Sequence, residues 1–168
     1  QKKDKEMKHF YKSYADEIIS KRFESPYAMQ KNANEMQYAS VANQVKKGER
    51  VLDAGCGEGV LAVMLAKRGA IVTACDISEP NVERAREYAK EEGVEVTFLV
   101  ADAEHLPFAD DLFDVVVSSH VLEHLPDFDK GLRELIRIGK DRVVVAVPTA
   151  VSFLSFVQLG GGWCYLKG

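Results

Sequence analysis

The sequence lacks any apolar run near the ~20 residues that a membrane-spanning helix needs, so we predict no membrane span. Residues 1–6 are polar, so we predict no secretory leader there. Cysteine is scarce, and Cys56, Cys75 and Cys164 form no C-x-x-C pair, which indicates reduced thiols and predicts a cytoplasmic protein. Basic residues are not in excess, because the net charge is -4, and this argues against a nucleic-acid partner.

Hydrophobic residues make up 46% of the 168-residue chain and charged residues 29%, as in an ordinary globular domain. From residue 50 onward, apolar runs alternate with amphipathic segments that end at glycine, which predicts strands alternating with helices. The predicted strands cover residues 50–54, 70–75, 94–100, 113–118 and 142–147. Strands that are apolar on both faces predict an α/β, doubly wound and mostly parallel sheet, with ligands at the carboxyl ends of the strands.

The part of the chain before residue 48 has helical periodicity instead. Phe10, Tyr14 and Ile18 recur at helical spacing, and a second helix is predicted for residues 28–45. We therefore divide the chain into an N-terminal helical segment, residues 1–47, and a ligand-binding region, residues 48–168. The later helices are predicted at 60–68, 78–93 and 127–139, and Ser78 is expected to cap the second of them.

A glycine-rich loop between the first strand and the next helix predicts the ligand site. Gly55, Gly57 and Gly59 alternate after Asp53, and Glu58 adds a second acid. Glycines at such a strand-to-helix turn allow positive φ and a close approach of backbone to ligand. The spacing departs from the G-x-G-x-x-G dinucleotide fingerprint, because the third glycine comes one residue early. Two carboxylates repel a pyrophosphate and favour a cationic ligand, such as an ammonium or a sulfonium.

The run from Asp53 to Gly59 resembles the first motif of class I S-adenosylmethionine-dependent methyltransferases, Asp-x-Gly-x-Gly-x-Gly. Asp102 with Ala103, residues 104–108 and residues 113–114 are similar to the A-x-x-L-P-F…F-D segment of the same family. The resemblance implies a Rossmann-like fold, S-adenosyl-L-methionine as cofactor and S-adenosyl-L-homocysteine as product. It also implies a small-molecule methyl acceptor, without naming the acceptor or its reacting atom.

The resemblance carries over to individual residues. Asp76, about 20 residues beyond the loop, is expected to accept the ribose hydroxyls, and a helix cap is its alternative role. Ile77 is expected to pack on the adenine, and Asp102 and Ala103 to recognise its amino group. Ser119 and His120 follow the fourth strand, where the family places the methionine end of the cofactor. The predicted cofactor-binding set is Asp53, Gly55, Cys56, Gly57, Glu58, Asp76, Ile77, Asp102, Ala103, Ser119 and His120.

His120 is also the candidate catalytic base, because imidazole exchanges its proton near neutral pH. The alternative is that it lines the pocket without chemistry. His120 and the two residues Glu123 and His124 match the H-x-x-E-H string of some zinc peptidases. We predict no metal, because that chemistry needs a sustained helix and Pro126 interrupts the segment.

Two other functions stay open at this stage, an NAD(P)-binding oxidoreductase and a non-catalytic module that binds the cofactor or a partner. The early Gly59 and the acid Asp53 argue against the first. The resemblance also implies that the residues before the first strand cover the site, with Tyr11, Tyr14, Lys21, Arg22 and Tyr27 as candidate lid residues.

The carboxyl end of the chain is short for this fold. The family continues past the fifth strand with a helix and an antiparallel strand pair, and we expect that pair to be missing or truncated. An unpaired edge of the fifth strand is a surface on which another chain can pair, so a homodimer is an open arrangement.

Overall fold

The computed structural model describes residues 36–147 and the backbone of residues 163–166. Most of the predicted N-terminal segment, including the five candidate lid residues, lies outside these described residues. Residues 36–42 are helical, as predicted for the second helix. No helix of the described residues is long and apolar enough to cross a membrane.

A six-stranded sheet with the order β3-β2-β1-β4-β5-β6 forms the centre of the fold. The strands are β1 (Arg50–Ala54), β2 (Ile71–Asp76), β3 (Thr97–Val100), β4 (Phe113–Ser119), β5 (Gly139–Ala146) and β6 (Trp163–Leu166). The helices are α1 (Val60–Lys67), α2 (Glu79–Glu91) and α3 (Phe128–Ile138), and a short 3-10 helix covers Leu122–His124. The first five strands are parallel, and the strand order reverses between β1 and β4, so the predicted doubly wound fold is confirmed.

Alternate residues of the strands face two separate apolar layers. Val51 of β1 packs with Leu61 of α1 and Val82 of α2 on one side of the sheet. Leu52, the next residue, packs with Leu135 and Ile138 of α3 on the other side. These side chains are almost completely buried, as expected for strands that are covered on both faces.

The caps of the helices follow local sequence signals. Ser78 accepts a hydrogen bond from the amide of Asn81 at 3.4 Å, so the predicted cap of α2 is confirmed. Asp127 does the same for α3 by accepting from the amide of Lys130 at 2.9 Å. Helix α1 differs, because Gly59 stands at its N-cap with φ 83° and no side chain caps it. The glycine loop therefore passes directly into α1.

Two strand boundaries differ from the prediction for reasons visible in the backbone. Strand β3 begins at Thr97 rather than residue 94, because the amide of Val94 still bonds to the carbonyl of Ala89 and closes α2. Strand β5 begins at Gly139, because α3 passes into the strand without an intervening turn.

Strand β6 corrects one prediction about the carboxyl end. It pairs antiparallel with β5, with Trp163 opposite Val145 and Leu166 opposite Arg142. The edge of β5 is therefore covered by the chain itself over this register, and is not the exposed edge that a missing strand pair would leave. A homodimer built on that edge loses its basis. One antiparallel strand is present where we expected the pair to be missing or truncated.

Candidate active site

The glycine loop is a tight turn bonded to the end of β2. The amides of Gly55 and Cys56 both donate to the carbonyl of Cys75, at 2.8 and 2.9 Å. Gly55, Gly57 and Gly59 have φ of 81°, 52° and 83°, a region that side chains with a Cβ rarely adopt. The predicted need for positive φ is therefore present at all three positions.

Protein packing adds a second requirement at two of the glycines. A Cβ on Gly55 would lie 2.2 Å from Cγ2 of Val121, and a Cβ on Gly59 would lie 2.8 Å from Cβ of Ala85. We predicted a close approach of backbone to ligand, but at these two positions the nearest neighbours are side chains of the protein. The loop is thus fitted between α2 and the segment after β4.

Asp76 joins the glycine loop to the start of α2. One carboxylate oxygen accepts from the amide of Gly57 at 2.9 Å, and the other accepts from the amide of Ser78 at 2.9 Å. The side chain is buried, at 8% exposure, and lies against the loop rather than in bulk solvent. The alternative role as a structural cap is therefore real. Because a carboxylate oxygen has two lone pairs, this arrangement does not exclude a ribose hydroxyl.

Asp53 is a buried acid with an unsatisfied oxygen. Its side chain is 1% exposed, and Oδ2 has no hydrogen-bond partner. Burial, followed by the charge of nearby Asp76, raises the pKa of Asp53 to about 7, and a hydrogen bond from the backbone of Ala62 opposes this shift. An uncompensated buried carboxylate destabilises a folded protein unless a cation or a donor reaches it.

The second acid of the loop has a partner that sequence reasoning missed. Glu58 lies 3.1 Å from Nε of Arg84 on α2, so an arginine already balances its charge. Cys56 is a neutral thiol, because burial raises its pKa well above the usual range. Burial likewise raises the pKa of Cys75 to about 12, so neither thiol is activated.

The segment after β3 is held by its own turn. Asp102 accepts from the amide of Glu104 at 3.0 Å, and Ala103 is 9% exposed. Ligand atoms of Asp102, Glu104 and His105 lie within 4.8 Å of one another. Two members of this cluster already have hydrogen-bond partners in the protein. Glu104 accepts from the amide of Asp127 at 2.8 Å, and Lys130 contacts Nε2 of His105 at 2.5 Å. We therefore assign no metal to it.

His120 has polar partners on both ring nitrogens. Nδ1 lies 3.2 Å from Oε1 of Glu123, and Nε2 lies 2.6 Å from Oε1 of Gln37. The backbone of His120 is in the left-handed region, with φ 57°, and its amide donates to the carbonyl of Ala146 at 2.8 Å. The neighbouring Ser119 has a buried hydroxyl oxygen without a hydrogen-bond partner. His120 directly follows a strand, as predicted, and only a 3-10 turn follows it.

Of the two partners of His120, one had a signal in the sequence and the other had none. Glu123 had a signal, because its spacing of three residues from His120 is part of the H-x-x-E-H string. Gln37 had none, because it is 83 residues away from His120 in the chain.

The sheet brings these residues to one edge. The ends of β1 and β2 pair at Ala54 and Cys75, and β3 continues beside β2. Strand β4 pairs with β1 on the other side. The predicted site residues lie at the strand ends as follows: Asp53 in β1, Asp76 and Ile77 at the end of β2, Asp102 and Ala103 after β3, and Ser119 and His120 at the end of β4.

The part of the chain that forms this sheet matches a known domain family. A family model described as a methyltransferase domain matches residues 52–147, which is more than half of the chain. The chain belongs to the methyltransferase domain family. The ubiquinone biosynthesis O-methyltransferase of Rickettsia conorii is 36% identical over 115 residues, which cover 68% of this chain and 39% of that protein.

Solved structures of methyltransferases are also similar to this chain. An S-adenosylmethionine-dependent methyltransferase from Aquifex aeolicus is 28% identical with a TM-score of 0.59, covering 66% of this chain and 62% of that one. The magnesium protoporphyrin IX methyltransferase of Synechocystis PCC 6803 shares the fold, with 24% identity, a TM-score of 0.72 and coverage of 92% and 86%. The chain spans 35% to 44% of the length of the curated relatives it matches.

Proposed function

We propose that this chain binds S-adenosyl-L-methionine and directs methyl transfer to a hydroxyl oxygen of a small-molecule acceptor. The observation that carries the cofactor assignment is the buried carboxylate of Asp53, whose Oδ2 has no partner beside the positive-φ glycine loop. Burial raises the pKa of this carboxyl to about 7, so a nearby cation favours its ionised form and a pyrophosphate disfavours it. When bound, the cofactor supplies a methyl carbon on a cationic sulfonium.

The residues at the carboxyl ends of the strands bind different parts of the cofactor. Asp76 accepts hydrogen bonds from the ribose hydroxyls, while the backbone amides of Gly57 and Ser78 fix the orientation of its carboxylate. Ile77, Asp102 and Ala103 surround the adenine. The loop from Gly55 to Glu58, with Asp53 beneath it, receives the amino-acid part, and Ser119 and His120 lie at its methionine end.

Catalysis by this chain is then mainly alignment. A sulfonium is already a good leaving group, so the protein holds the acceptor oxygen in line with the methyl carbon. Orientation of two reactants can supply ~7–11 kcal/mol of the barrier. The hydroxyl acceptor is supported by the relative from Rickettsia conorii, which is named an O-methyltransferase. The neutral, reduced thiols Cys56 and Cys75 suit the cytoplasm, where we place the protein.

Calorimetry with S-adenosylmethionine, S-adenosylhomocysteine and NAD tests the cofactor assignment. We expect both adenosyl ligands to bind and NAD to show no heat of binding. Gly57→Val should weaken binding at least 100-fold, because Gly57 has φ 52° and its amide orients Asp76. Gly93→Val is the matched control: Gly93 also has positive φ, 67°, but has no atom near its Cβ position and lies at the end of α2.

The outcomes separate three functions. Binding of NAD in place of the adenosyl ligands would indicate the oxidoreductase. Equal losses of affinity in the two glycine variants would show that strain, not the site, is responsible. Cofactor binding without methylated product from any hydroxyl compound would indicate the non-catalytic module.

A further inference from the structure

The segment from Ser119 to Glu123 is built in a way that packing alone does not require. His120 holds a left-handed backbone, with φ 57°, although it has a bulky side chain. Such a conformation is sparsely populated by residues that carry a Cβ, and it tends to persist at functional sites. The amide of His120 is bonded to Ala146 of β5 at 2.8 Å, so the strained position is fixed by the sheet.

Glu123 adds a second feature that points to a function. Its side chain is 21% exposed, one oxygen lies 3.2 Å from Nδ1 of His120, and the other, Oε2, is buried without a hydrogen-bond partner. A second titratable group lies near this carboxylate, because Nε2 of His124 is 3.9 Å from Oε1 of Glu123. A carboxylate in this state is retained at a cost in stability, which indicates a task beyond packing.

The contact with Glu123 determines which nitrogen of His120 carries the hydrogen. An ionised carboxylate can only accept, so Nδ1 must donate and bears the hydrogen. In the neutral ring Nε2 is then the acceptor. That atom lies 2.6 Å from Oε1 of Gln37, on the helical residues 36–42, and this carbonyl oxygen can only accept. A neutral ring with its hydrogen on Nδ1 therefore requires the Gln37 amide to turn by about 180°, so that its N–H faces Nε2. The amide can serve either ring state, because it offers N–H to a neutral nitrogen and its carbonyl to a protonated one.

We propose that Glu123 is the positioning residue that holds His120 as general base for a hydroxyl acceptor, whose oxygen replaces the Gln37 amide on Nε2. The inference rests on the proposed function and names the acceptor subsite within it, between the end of β4 and residues 36–42. In the step, the O–H bond of the acceptor breaks and its proton bonds to Nε2. The electron pair stays on the oxygen, which becomes the nucleophile, and the Glu123 carboxylate balances the imidazolium charge.

The tautomer of His120 tests the positioning role without an acceptor. Long-range proton–nitrogen NMR of the ¹⁵N-labelled protein resolves the ring nitrogens of its four histidines, and His120→Gln identifies the signal. We expect the neutral ring of His120 to carry its hydrogen on Nδ1. In Glu123→Ala the hydrogen should move to Nε2, the preferred position in a free imidazole. Glu83→Ala, which removes an exposed carboxylate from α2, should leave it on Nδ1.

The rates test the catalytic consequence, with catechol as the hydroxyl probe. We expect kcat to fall at least 100-fold in His120→Ala and about 10- to 100-fold in Glu123→Ala. Glu123→Gln should keep the Nδ1 tautomer, because its carbonyl still accepts, yet lose rate, because it lacks the charge. Gln37→Ala should lower the KM for catechol, because it removes a competitor for Nε2.

Each arm has an outcome that overturns a different statement. A His120 hydrogen on Nε2 in the native protein, or an unchanged tautomer in Glu123→Ala, overturns the role of Glu123. A raised KM in Gln37→Ala overturns the subsite. An unchanged kcat for catechol in His120→Ala overturns the role of His120 as general base. Failure of the cofactor to bind overturns the proposed function, and the tautomer result stands independently of it.

Discussion

Replacing Asp53 by asparagine should stabilise the cofactor-free protein above neutral pH and weaken its binding of cofactor. The native side chain is fully buried with one unpaired oxygen, and its pKa is raised from 3.8 to about 7. Because the pKa of Asp53 is higher in the native state, the native protein holds this proton more tightly than the unfolded protein does. The stabilisation is therefore complete below pH 4 and is lost as the pH rises through 7.

The size of the effect follows from that shift. About three pH units at 1.36 kcal/mol each correspond to about 4 kcal/mol between pH 4 and pH 8. An asparagine side chain cannot ionise, so the variant lacks this loss. Titrating groups far from Asp53 are common to both proteins and cancel in the difference, whereas Asp76, whose charge acts on Asp53, does not cancel completely. At pH 8 the variant should be more stable by up to about 4 kcal/mol, or roughly 10 °C in Tm for a chain of this size.

Urea denaturation of the cofactor-free protein at pH 5 and pH 8 measures this difference. We expect the advantage of Asp53→Asn to grow by about 2–3 kcal/mol between the two pH values, because the native carboxyl loses its proton only near pH 7. The reasoning would be refuted if the two proteins lost stability in parallel. A cationic cofactor should also drive proton release from Asp53 at pH 6. Calorimetry in buffers of different ionisation enthalpy would detect that release in the native protein and not in the variant.

Three further changes have outcomes that the structure determines. Ser78→Ala should destabilise the protein by about 1 kcal/mol in thermal unfolding, because it removes the cap of α2; a Thr at this position should restore most of it. Gly55→Ala should reduce stability by well over 1 kcal/mol, since it combines φ 81° with a clash 2.2 Å from Val121, and Val121→Ala in the same chain should recover part of the loss. Arg137→Met should cost about 2–3 kcal/mol in urea, because it removes charged hydrogen bonds to the carbonyls of Phe108 and Leu106, and a loss below 0.5 kcal/mol would contradict that role.

The sequence predicted the sheet and the strand ends at which the candidate site residues lie, because both follow from local patterns. Buried strands such as β4 are short apolar runs, and the turn after β1 needs glycines at positions of positive φ. Asp53 and Asp76 are found where their strands end, as their positions in the sequence indicate. The Ser78 cap was visible for the same reason, since it depends on residues within one turn.

What the sequence could not predict are partnerships between distant segments. Arg84 neutralises Glu58 from the next helix, and Gln37 reaches His120 across 83 residues. Arg137 of α3 donates hydrogen bonds to carbonyls of the segment that follows β3. These bonds fix part of the L-P-F segment, which resembles the family motif, against α3. Each of these contacts depends on how helices pack over the sheet, and periodicity carries no information about such pairings.

Buried polar atoms without hydrogen-bond partners are a second, independent observation about the candidate site at the carboxyl ends of the strands. Among the described residues, five buried side-chain polar atoms lack a hydrogen-bond partner: one oxygen each of Asp53, Ser119 and Glu123, and one nitrogen each of Asn81 and Arg84 on α2. Asp53 lies in β1, and Ser119 and Glu123 lie at and just after the end of β4, the two strands between which the sheet order reverses. A folding chain gains nothing from leaving such atoms unpaired, and each costs about 1–3 kcal/mol. The three oxygens lie at this switch point, which agrees with the proposed cation beside Asp53 and the proposed acceptor beside His120.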